Sequence, residues 1–228
     1  NKTNCGKESG NIMSGNVTRG KLKVIFGPMG SGKTDRLITL LKSAEFCGLK
    51  IKTFFPSADT RSNDITIKSR TGEMIAAVVV ENPKELLDYV DFSIRLRGEK
   101  IDIIGIDEIN LFRQSEYEEI IIVIESLLRN GFTIYASFLN QDWRGKNFGV
   151  AGELMAMADE LEHLKAICMQ CKNIGTATKT FKKGGSKDKI IEAGDLDIYE
   201  ALCPACWQNK MEVIGELNWL RNDFAMNA

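Results

Sequence analysis

The sequence predicts an α/β fold, a parallel sheet flanked by helices, with a small second lobe towards its C-terminal end. Short apolar segments alternate with segments of helical periodicity, which is the pattern of parallel strands joined by crossover helices. A glycine-rich turn joins the first strand to the first helix. From about Leu161 this alternation ends and two C-x-x-C pairs follow, which predicts a small lobe clipped together by cysteines.

Five strands and three helices are predicted before that point. The strands are Lys21–Phe26, Leu49–Phe55, Met74–Val80, Ile101–Ile106 and Phe132–Ser137. The first helix follows the glycine-rich turn, with apolar residues at helical spacing up to Gly48. The second covers Pro83–Val90 with Asn82 as N-cap, and the third begins at a capping box of Ser115 and Glu118. A further strand-like segment, Leu161–Ile167, leads into the first C-x-x-C pair.

The expected organisation has four parts. They are a flexible N-terminal arm (1–20), a nucleotide-binding α/β domain (21–160), a zinc-binding lobe (161–207), and a C-terminal tail or short helix (208–228). The apolar fraction, 43%, is that of an ordinary globular protein. A formal net charge of −1 argues against a dedicated partner among nucleic acids or anionic membranes. The absence of an apolar segment like that of a secretory signal leads us to expect a cytoplasmic location.

The glycine-rich turn matches the phosphate-binding pattern G-x-x-x-x-G-K-[ST] in full. Its residues, which we predict to bind ATP, are Gly27, Pro28, Met29, Gly30, Ser31, Gly32, Lys33 and Thr34. Backbone N–H groups at the start of the following helix can face a triphosphate there. Lys33 is expected to reach the β- and γ-phosphates, and the Thr34 hydroxyl to ligate Mg²⁺.

Two neighbouring carboxylates follow the apolar strand Ile101–Ile106. Asp107 has the position of the acidic residue that holds Mg²⁺ in nucleotide-binding proteins. Glu108 points another way because side chains alternate at a strand end, so it can deprotonate an attacking hydroxyl. An alternative stays open, because in many ATP-driven motors such a pair activates water for hydrolysis. That alternative is a zinc-bearing P-loop ATPase of the DNA-repair or motor class.

Four cysteines form a strong metal-binding pattern. Cys168, Cys171, Cys203 and Cys206 can supply four thiolates to one tetrahedral Zn²⁺, which leaves no open position and indicates a structural ion. His163 lies outside this pattern and is expected to be a packed core or strand-edge residue.

The polar loop 139–149 contains two aromatic residues, Trp143 and Phe148. Their rings could stack on a flat base or could anchor the loop to the core, and physics alone does not separate the two.

These motifs together resemble the zinc-containing thymidine kinases. The segments that carry the resemblance are GPMGSGKT, DTR at Asp59–Arg61, SRTG at Ser69–Gly72, IGIDEINLF at Ile104–Phe112, LNQDWRGKNFG, CMQC and CPACW. The resemblance spans about Lys21 to Trp207 and is specific because all the motifs occur in register.

The resemblance implies a RecA-like core, a zinc lobe and phosphorylation of thymidine, and also of deoxyuridine, by ATP and Mg²⁺. Glu108, Lys33 and Arg61 take catalytic positions, and Asp59 lies near the sugar and phosphates, although charge on the phosphates could also be met by Arg144. The implied base pocket is lined by Met29, Leu139, Trp143, Phe148 and Thr178, and closed by a lasso containing Ile190, Ile191, Glu192, Ala193, Gly194 and Tyr199. The resemblance also implies a homotetramer inhibited by thymidine triphosphate.

The chain departs from the family pattern in four places. Gly30 replaces an aromatic residue in the phosphate loop, Trp143 replaces Phe, Leu111 replaces an aromatic residue, and Arg70 replaces His. These changes concern the shape of the pocket and leave the phosphoryl-transfer groups in place.

Overall fold

The computed structural model describes residues 19–57, 66–184 and 197–214. Its strands are β1 (Leu22–Phe26), β2 (Ile51–Pro56), β3 (Thr66–Lys68), β4 (Met74–Ala76), β5 (Val78–Val80), β6 (Ile103–Ile106), β7 (Thr133–Phe138), β8 (Glu160–His163), β9 (Lys179–Lys182) and β10 (Tyr199–Leu202). Its helices are α1 (Lys33–Phe46), α2 (Pro83–Arg95), α3 (Tyr117–Arg129), α4 (Ala151–Met157) and α5 (Pro204–Val213).

Six strands form a central parallel sheet in the order β5-β2-β6-β7-β1-β8. The strand order places the ends of β6, β7 and β1 side by side at one edge of the sheet. Functional loops gather at this carboxyl edge in open α/β sheets. The predicted α/β fold with a parallel sheet is therefore confirmed.

Side-chain alternation along the strands gives the sheet two apolar faces. On β1, Val24 belongs to the cluster that also contains residues of α2, α3 and α4, whereas Ile25 belongs to the cluster that contains residues of α1. Leu37 and Leu41 of α1 are fully buried in that second cluster. Each such side chain contributes about 1.5–3 kcal/mol when it leaves water, so the two faces together hold the sheet between its helices.

The segment Met74–Val80, predicted as one strand, is two strands that pair differently. β4 forms an antiparallel hairpin with β3, whereas β5 joins the main sheet beside β2. The prediction of a single strand was wrong because the two strands are separated by a single residue, the buried Ala77. The sequence therefore has no turn residues between them that would mark the break.

The predicted start of the third helix was also wrong in detail. A short 3-10 turn at Gln114–Glu116 comes first, and α3 begins at Tyr117. The Glu116 carboxylate accepts from the backbone N–H of Arg113 at 2.9 Å, so Glu116 takes the role expected of Glu118. The second helix begins as predicted, because the Asn82 side chain accepts from the Glu85 N–H at 3.0 Å.

The strand expected to lead into the zinc lobe belongs to the main sheet. β8 is the edge strand and pairs with β1, and it ends at His163 rather than Ile167. Lys23 of β1 forms ion pairs with Glu160 and Glu162 across this pairing. Residues 160–163 therefore pack with the sheet.

The small lobe consists of the antiparallel pair β9 and β10 followed by α5. Its apolar cluster includes Phe181, Leu202 and Met211, together with Trp143 from the loop that follows β7. α5 covers residues 204–213, so it begins within the second C-x-x-C pair and extends into the segment 208–228, for which a tail or short helix was predicted. Within the described parts of the chain, no helix has the length and apolar character that crossing a membrane requires.

Removal of a buried aromatic ring tests this core. Phe54 of β2 is fully buried and meets the Tyr89 ring edge-on with centroids 5.5 Å apart. Phe54→Ala should lower the free energy of unfolding by about 3–5 kcal/mol, because it removes apolar contacts and leaves a cavity. Urea denaturation measures the loss. Phe46→Ala is the matched control, since Phe46 is 93% exposed and its loss should change stability by less than about 0.5 kcal/mol. Equal losses in the two variants would contradict the assignment of the core.

Candidate functional site

The phosphate loop connects β1 to α1 at the carboxyl edge of the sheet. Gly32, which precedes the helix, has φ 83°, and no described side chain caps the first turn. The N–H groups of that turn are therefore available to an anion, and the helix dipole favours one there. Ser31 N–H donates to the Pro28 carbonyl at 3.3 Å and closes a turn across the middle of the loop.

Two glycines of this loop are required by geometry. A Cβ on Gly27 would lie 2.2 Å from the Leu164 carbonyl oxygen, so no larger residue fits between the loop and the chain after β8. Gly30 has φ 74°, a left-handed conformation that glycine adopts without strain. That conformation gives a physical reason for glycine at the position where the resembling family has an aromatic residue.

Lys33 lies beneath the loop rather than in solvent. It is 5% exposed, and its Nζ donates to the Pro28 carbonyl at 3.0 Å. A buried cation here is placed to meet negative charge brought into the loop.

Asp107, at the end of β6, joins three neighbouring elements. Its carboxylate accepts hydrogen bonds from the Thr34 hydroxyl at 3.1 Å and from the Ser137 hydroxyl at the end of β7. Burial and the nearby Glu108 charge raise the pKa of Asp107 to about 6, although the two hydroxyls and Lys33 oppose the rise. A bound cation would offset the free-energy cost of burying the ionised Asp107 carboxylate. The carboxylate and hydroxyl oxygens of Asp107 and Thr34 are ligands that suit Mg²⁺.

Glu108 is buried and holds an unusual backbone conformation. Its φ and ψ are 49° and 41°, the left-handed region that non-glycine residues rarely adopt. Such a conformation costs about 1–3 kcal/mol and is found mainly at functional sites. It turns the chain immediately after Asp107, where the strand has ended, and the separate roles of the two carboxylates stay a prediction.

The loop 139–149, which we call the substrate loop, is organised by Asp142. The Asp142 carboxylate accepts from the N–H groups of Arg144 and Lys146 at 2.9 and 3.0 Å. It also binds the Arg144 guanidinium through two nitrogens at 3.1 and 3.2 Å. Arg144 is thus engaged within its own loop, which disfavours it as the arginine that meets phosphate charge.

The two aromatic residues of the substrate loop are both buried. Trp143 is 3% exposed and belongs to the apolar cluster of the small lobe, and Phe148 is 6% exposed. The Trp207 indole N–H donates to the Trp143 carbonyl at 3.1 Å, which fastens the loop to α5. The geometry thus gives Trp143 an anchoring position, and its contact with a base stays a prediction.

The other predicted pocket residues lie around this junction. Met29 and Tyr199 are buried, whereas Leu139 and Thr178 are half-buried. The Met29 N–H donates to the Thr180 hydroxyl of β9 at 3.0 Å, which brings the phosphate loop against the small lobe. Several predicted site residues lie outside the described residues: Asp59, Arg61, Ile190, Ile191, Glu192, Ala193 and Gly194.

The four predicted cysteine ligands converge. The Sγ atoms of Cys168, Cys171, Cys203 and Cys206 all lie within 4.8 Å of one another. Cys171 and Cys203 Sγ are 3.9 Å apart, close to the roughly 3.8 Å edge of a tetrahedron of thiolates around zinc. The cluster is thus compatible with a structural zinc ion that has no position left for a substrate.

The acidities of these thiols differ with their surroundings. Burial opposes ionisation of Cys168, but N–H donors from Cys203, Cys171 and Gln170 outweigh it and lower its pKa to about 6. Hydrogen bonding to Cys203 raises the pKa of Cys206 to about 12. Four sulfurs so close together need a cation to become thiolates together, which fits the chemistry of a zinc site.

His163 is a strand-edge residue and not a core residue. It is exposed at the end of β8 and stacks on Phe26 with ring centroids 4.7 Å apart. Partial removal of its ring from water, with the nearby Lys165 charge, lowers the pKa of His163.

Three residues that position the site were missed by the sequence reasoning. They are Ser137, which binds Asp107, Thr180, which binds the Met29 amide, and Asn110, whose Oδ1 accepts from the Leu139 N–H at 3.3 Å. A serine at the end of an apolar strand was the one available signal. The other two act across distant elements, and spacing along the chain does not reveal them.

A family model described as thymidine kinase matches residues 20–207. This chain belongs to the thymidine kinase family. It is also similar to the thymidine kinase of Ureaplasma urealyticum serovar 10, with 37% identity over 189 residues, 81% of this chain and 81% of that protein. The resemblance drawn from the motifs is therefore confirmed, and with it the prediction of a kinase. The motor-type ATPase is not favoured.

The cysteine cluster of this thymidine kinase can be tested by removing one ligand. If the cluster holds one zinc ion per chain, Cys203→Ser should reduce the bound zinc to well below one, because a hydroxyl is a poor replacement for a thiolate. It should also lower the midpoint of thermal unfolding, since the free energy of zinc binding contributes to folding. Elemental analysis and calorimetry measure the two effects.

Met169→Leu is the control, because Met169 lies between two ligands but offers no strong one. Full zinc content in Cys203→Ser would exclude Cys203 as a ligand.

Proposed function

We propose that this protein transfers the γ-phosphate of ATP to the 5′-OH of thymidine, and also of deoxyuridine, in salvage of pyrimidines for DNA synthesis. The observation that supports this most directly is the placement of Asp107 and Glu108 beside the phosphate loop. Asp107 contacts Thr34, and Glu108 follows it in a strained, buried turn. This arrangement provides for the phosphate donor and for deprotonation of the acceptor at one edge of the sheet.

ATP would lie with its phosphates in the loop Gly27–Thr34, over the N-terminus of α1. Lys33 would leave its Pro28 carbonyl partner for the β- and γ-phosphates. Thr34 and Asp107 would hold the Mg²⁺, which supplies neutralisation of the charge that develops on the transferred group.

Glu108 would act as the general base. It needs only to reach the 5′-OH by a hydrogen bond and to accept its proton as the oxygen attacks phosphorus. The remaining requirement of phosphoryl transfer is alignment of the two substrates, and the strained turn at Glu108 restricts the backbone from which its carboxylate extends.

We assign the arginine that balances phosphate charge to Arg61, with Asp59 nearby at the sugar and phosphates, on the resemblance of the DTR motif. The bonds between Arg144 and Asp142 support this choice over Arg144. The thymine would bind among Met29, Leu139, Trp143, Phe148 and Thr178, beneath the lasso formed by Ile190–Gly194 and Tyr199. Burial of Trp143 within the small lobe suits a wall of that pocket more than a mobile stacking face.

We further propose one structural Zn²⁺ in the cysteine cluster, a homotetrameric assembly, inhibition by thymidine triphosphate, and a cytoplasmic location. The zinc is supported by the converging sulfur atoms. The assembly, the inhibitor and the location rest on the family resemblance. The domain boundaries predicted from the sequence belong to the same proposal, with residues 160–163 assigned to the sheet.

The reaction is tested with a nucleoside pair that differs in one oxygen. Purified protein with Mg-ATP should convert thymidine to thymidine monophosphate with one ADP released per product. 5′-Deoxythymidine, which lacks the attacking hydroxyl, should give neither product nor ADP. Release of ADP with 5′-deoxythymidine at the same rate, or ATP hydrolysis that only DNA stimulates, would overturn the proposal.

Replacement of the proposed base separates chemistry from binding. Glu108→Gln should lower kcat by about 10²-fold or more, because the amide cannot accept the proton. The affinity for ATP, measured by calorimetry, should stay within about twofold, since the phosphate contacts are assigned to other residues. Glu153→Gln, a charged residue in the first turn of α4, is the matched control and should leave kcat unchanged. Unchanged turnover in Glu108→Gln would remove Glu108 from the role of base.

A further inference from the structure

β9 is the strand of the small lobe that contacts both functional loops of the main sheet. Lys179 and Thr180 are consecutive, so their side chains leave opposite faces of the strand. Lys179 Nζ donates to Gln141 Oε1 of the substrate loop at 2.6 Å. Thr180 Oγ1 accepts from the Met29 N–H of the phosphate loop at 3.0 Å. One short strand therefore reaches the loops proposed for the acceptor and for the donor.

We propose that Thr180 is a positioning residue for ATP, because its hydroxyl holds the Met29 amide and thereby fixes the phosphate loop. Thr180 is 5% exposed and Met29 is 8% exposed, so water does not readily replace this hydrogen bond. The two residues are 151 positions apart, and the contact therefore comes from tertiary packing. A buried amide without an acceptor is costly, so the loop would move to find one.

The loop needs an outside anchor because of its composition. Gly27, Gly30 and Gly32 permit many backbone conformations, and Gly30 directly follows Met29 with φ 74°. Inside the loop, the turn from Pro28 to Ser31 is closed by one backbone hydrogen bond at 3.3 Å. With its N–H committed to Thr180, Met29 is fixed at the outer side of that turn. The amides that follow can then keep the direction that a triphosphate requires.

The anchor is connected to the cysteine cluster through the sheet of the small lobe. Thr180 pairs with Ala201 in β10, and Leu202 at the end of β10 directly precedes Cys203. The cluster therefore holds β10, β10 holds β9, and β9 presents the hydroxyl. This inference depends on the proposed assignment of residues 27–34 to ATP.

The test replaces the hydroxyl without changing the size of the side chain. Thr180→Val should raise the Kd for ATP about tenfold, as loss of an acceptor for a buried amide implies. The KM for ATP should rise in parallel, and the KM for thymidine should rise less, because Met29 belongs to the phosphate loop while the other proposed base-pocket residues do not. Bound zinc per chain should be unchanged. Thr180→Ser keeps the hydroxyl and should restore the Kd to within about twofold of the original.

Thr176→Val is the matched control in the same lobe. Thr176 is exposed, and its hydroxyl donates only to the nearby Asn173 carbonyl at 3.0 Å, so its loss should not change the Kd for ATP.

Three results would overturn the role of Thr180. They are unchanged ATP affinity in Thr180→Val, equal losses in Thr180→Val and Thr180→Ser, and a loss of bound zinc in proportion to the loss of ATP affinity. Lys33→Ala, run in parallel, separates this inference from the proposed function. If Lys33→Ala loses ATP affinity and Thr180→Val does not, only the role of Thr180 fails. If Lys33→Ala binds ATP normally, the assignment of the phosphate loop fails and the inference fails with it.

Discussion

The buried carboxylate of Asp107 is the constraint on which the site depends. It lies at the end of β6, between the Thr34 hydroxyl at the start of α1 and the Ser137 hydroxyl at the end of β7. A buried carboxylate must be satisfied by donors or by a cation, so these three elements are held in one arrangement. Because Glu108 follows Asp107 directly, the same constraint also fixes the point at which the backbone enters the left-handed conformation of Glu108.

Much of the sheet could be predicted because its strands are apolar and its helices amphipathic. The phosphate loop could be identified from its own residues, since the spacing of its glycines and the Lys-Thr pair determine its conformation locally. Local patterns failed where the pairing of a strand depends on segments distant in the sequence. The pattern of Met74–Val80 predicts one strand, yet its first part pairs with β3 in a hairpin and its last part pairs with β2 in the main sheet. β8 reads as part of the small lobe, yet β1 offers it an open edge.

The site was predictable to the extent that single motifs carry its chemistry. Asp107, Glu108 and the cysteines could be named because their residue types and spacing imply their ligands. The contacts that orient them were not visible, since Ser137, Thr180 and Asn110 act on backbone or side-chain groups from distant segments. The positions of Trp143 and Arg144 show the same limit. Each belongs to a motif, but burial in the small lobe and pairing with Asp142 decide what each can reach.

The participation of Trp143 in the core of the small lobe has a consequence for the order of folding. The lobe contains Phe181, Leu202 and Met211, but among the described residues of its apolar cluster the largest buried side chain, Trp143, comes from the loop after β7. Contacts so distant along the chain form late, because closing a long loop costs entropy before any packing is gained. During synthesis the central strands emerge before Cys203 and Cys206, so the lobe completes its core on a sheet already assembled. The fluorescence of Trp143 and Trp207 would then report the last stage of folding, after the helical signal has formed.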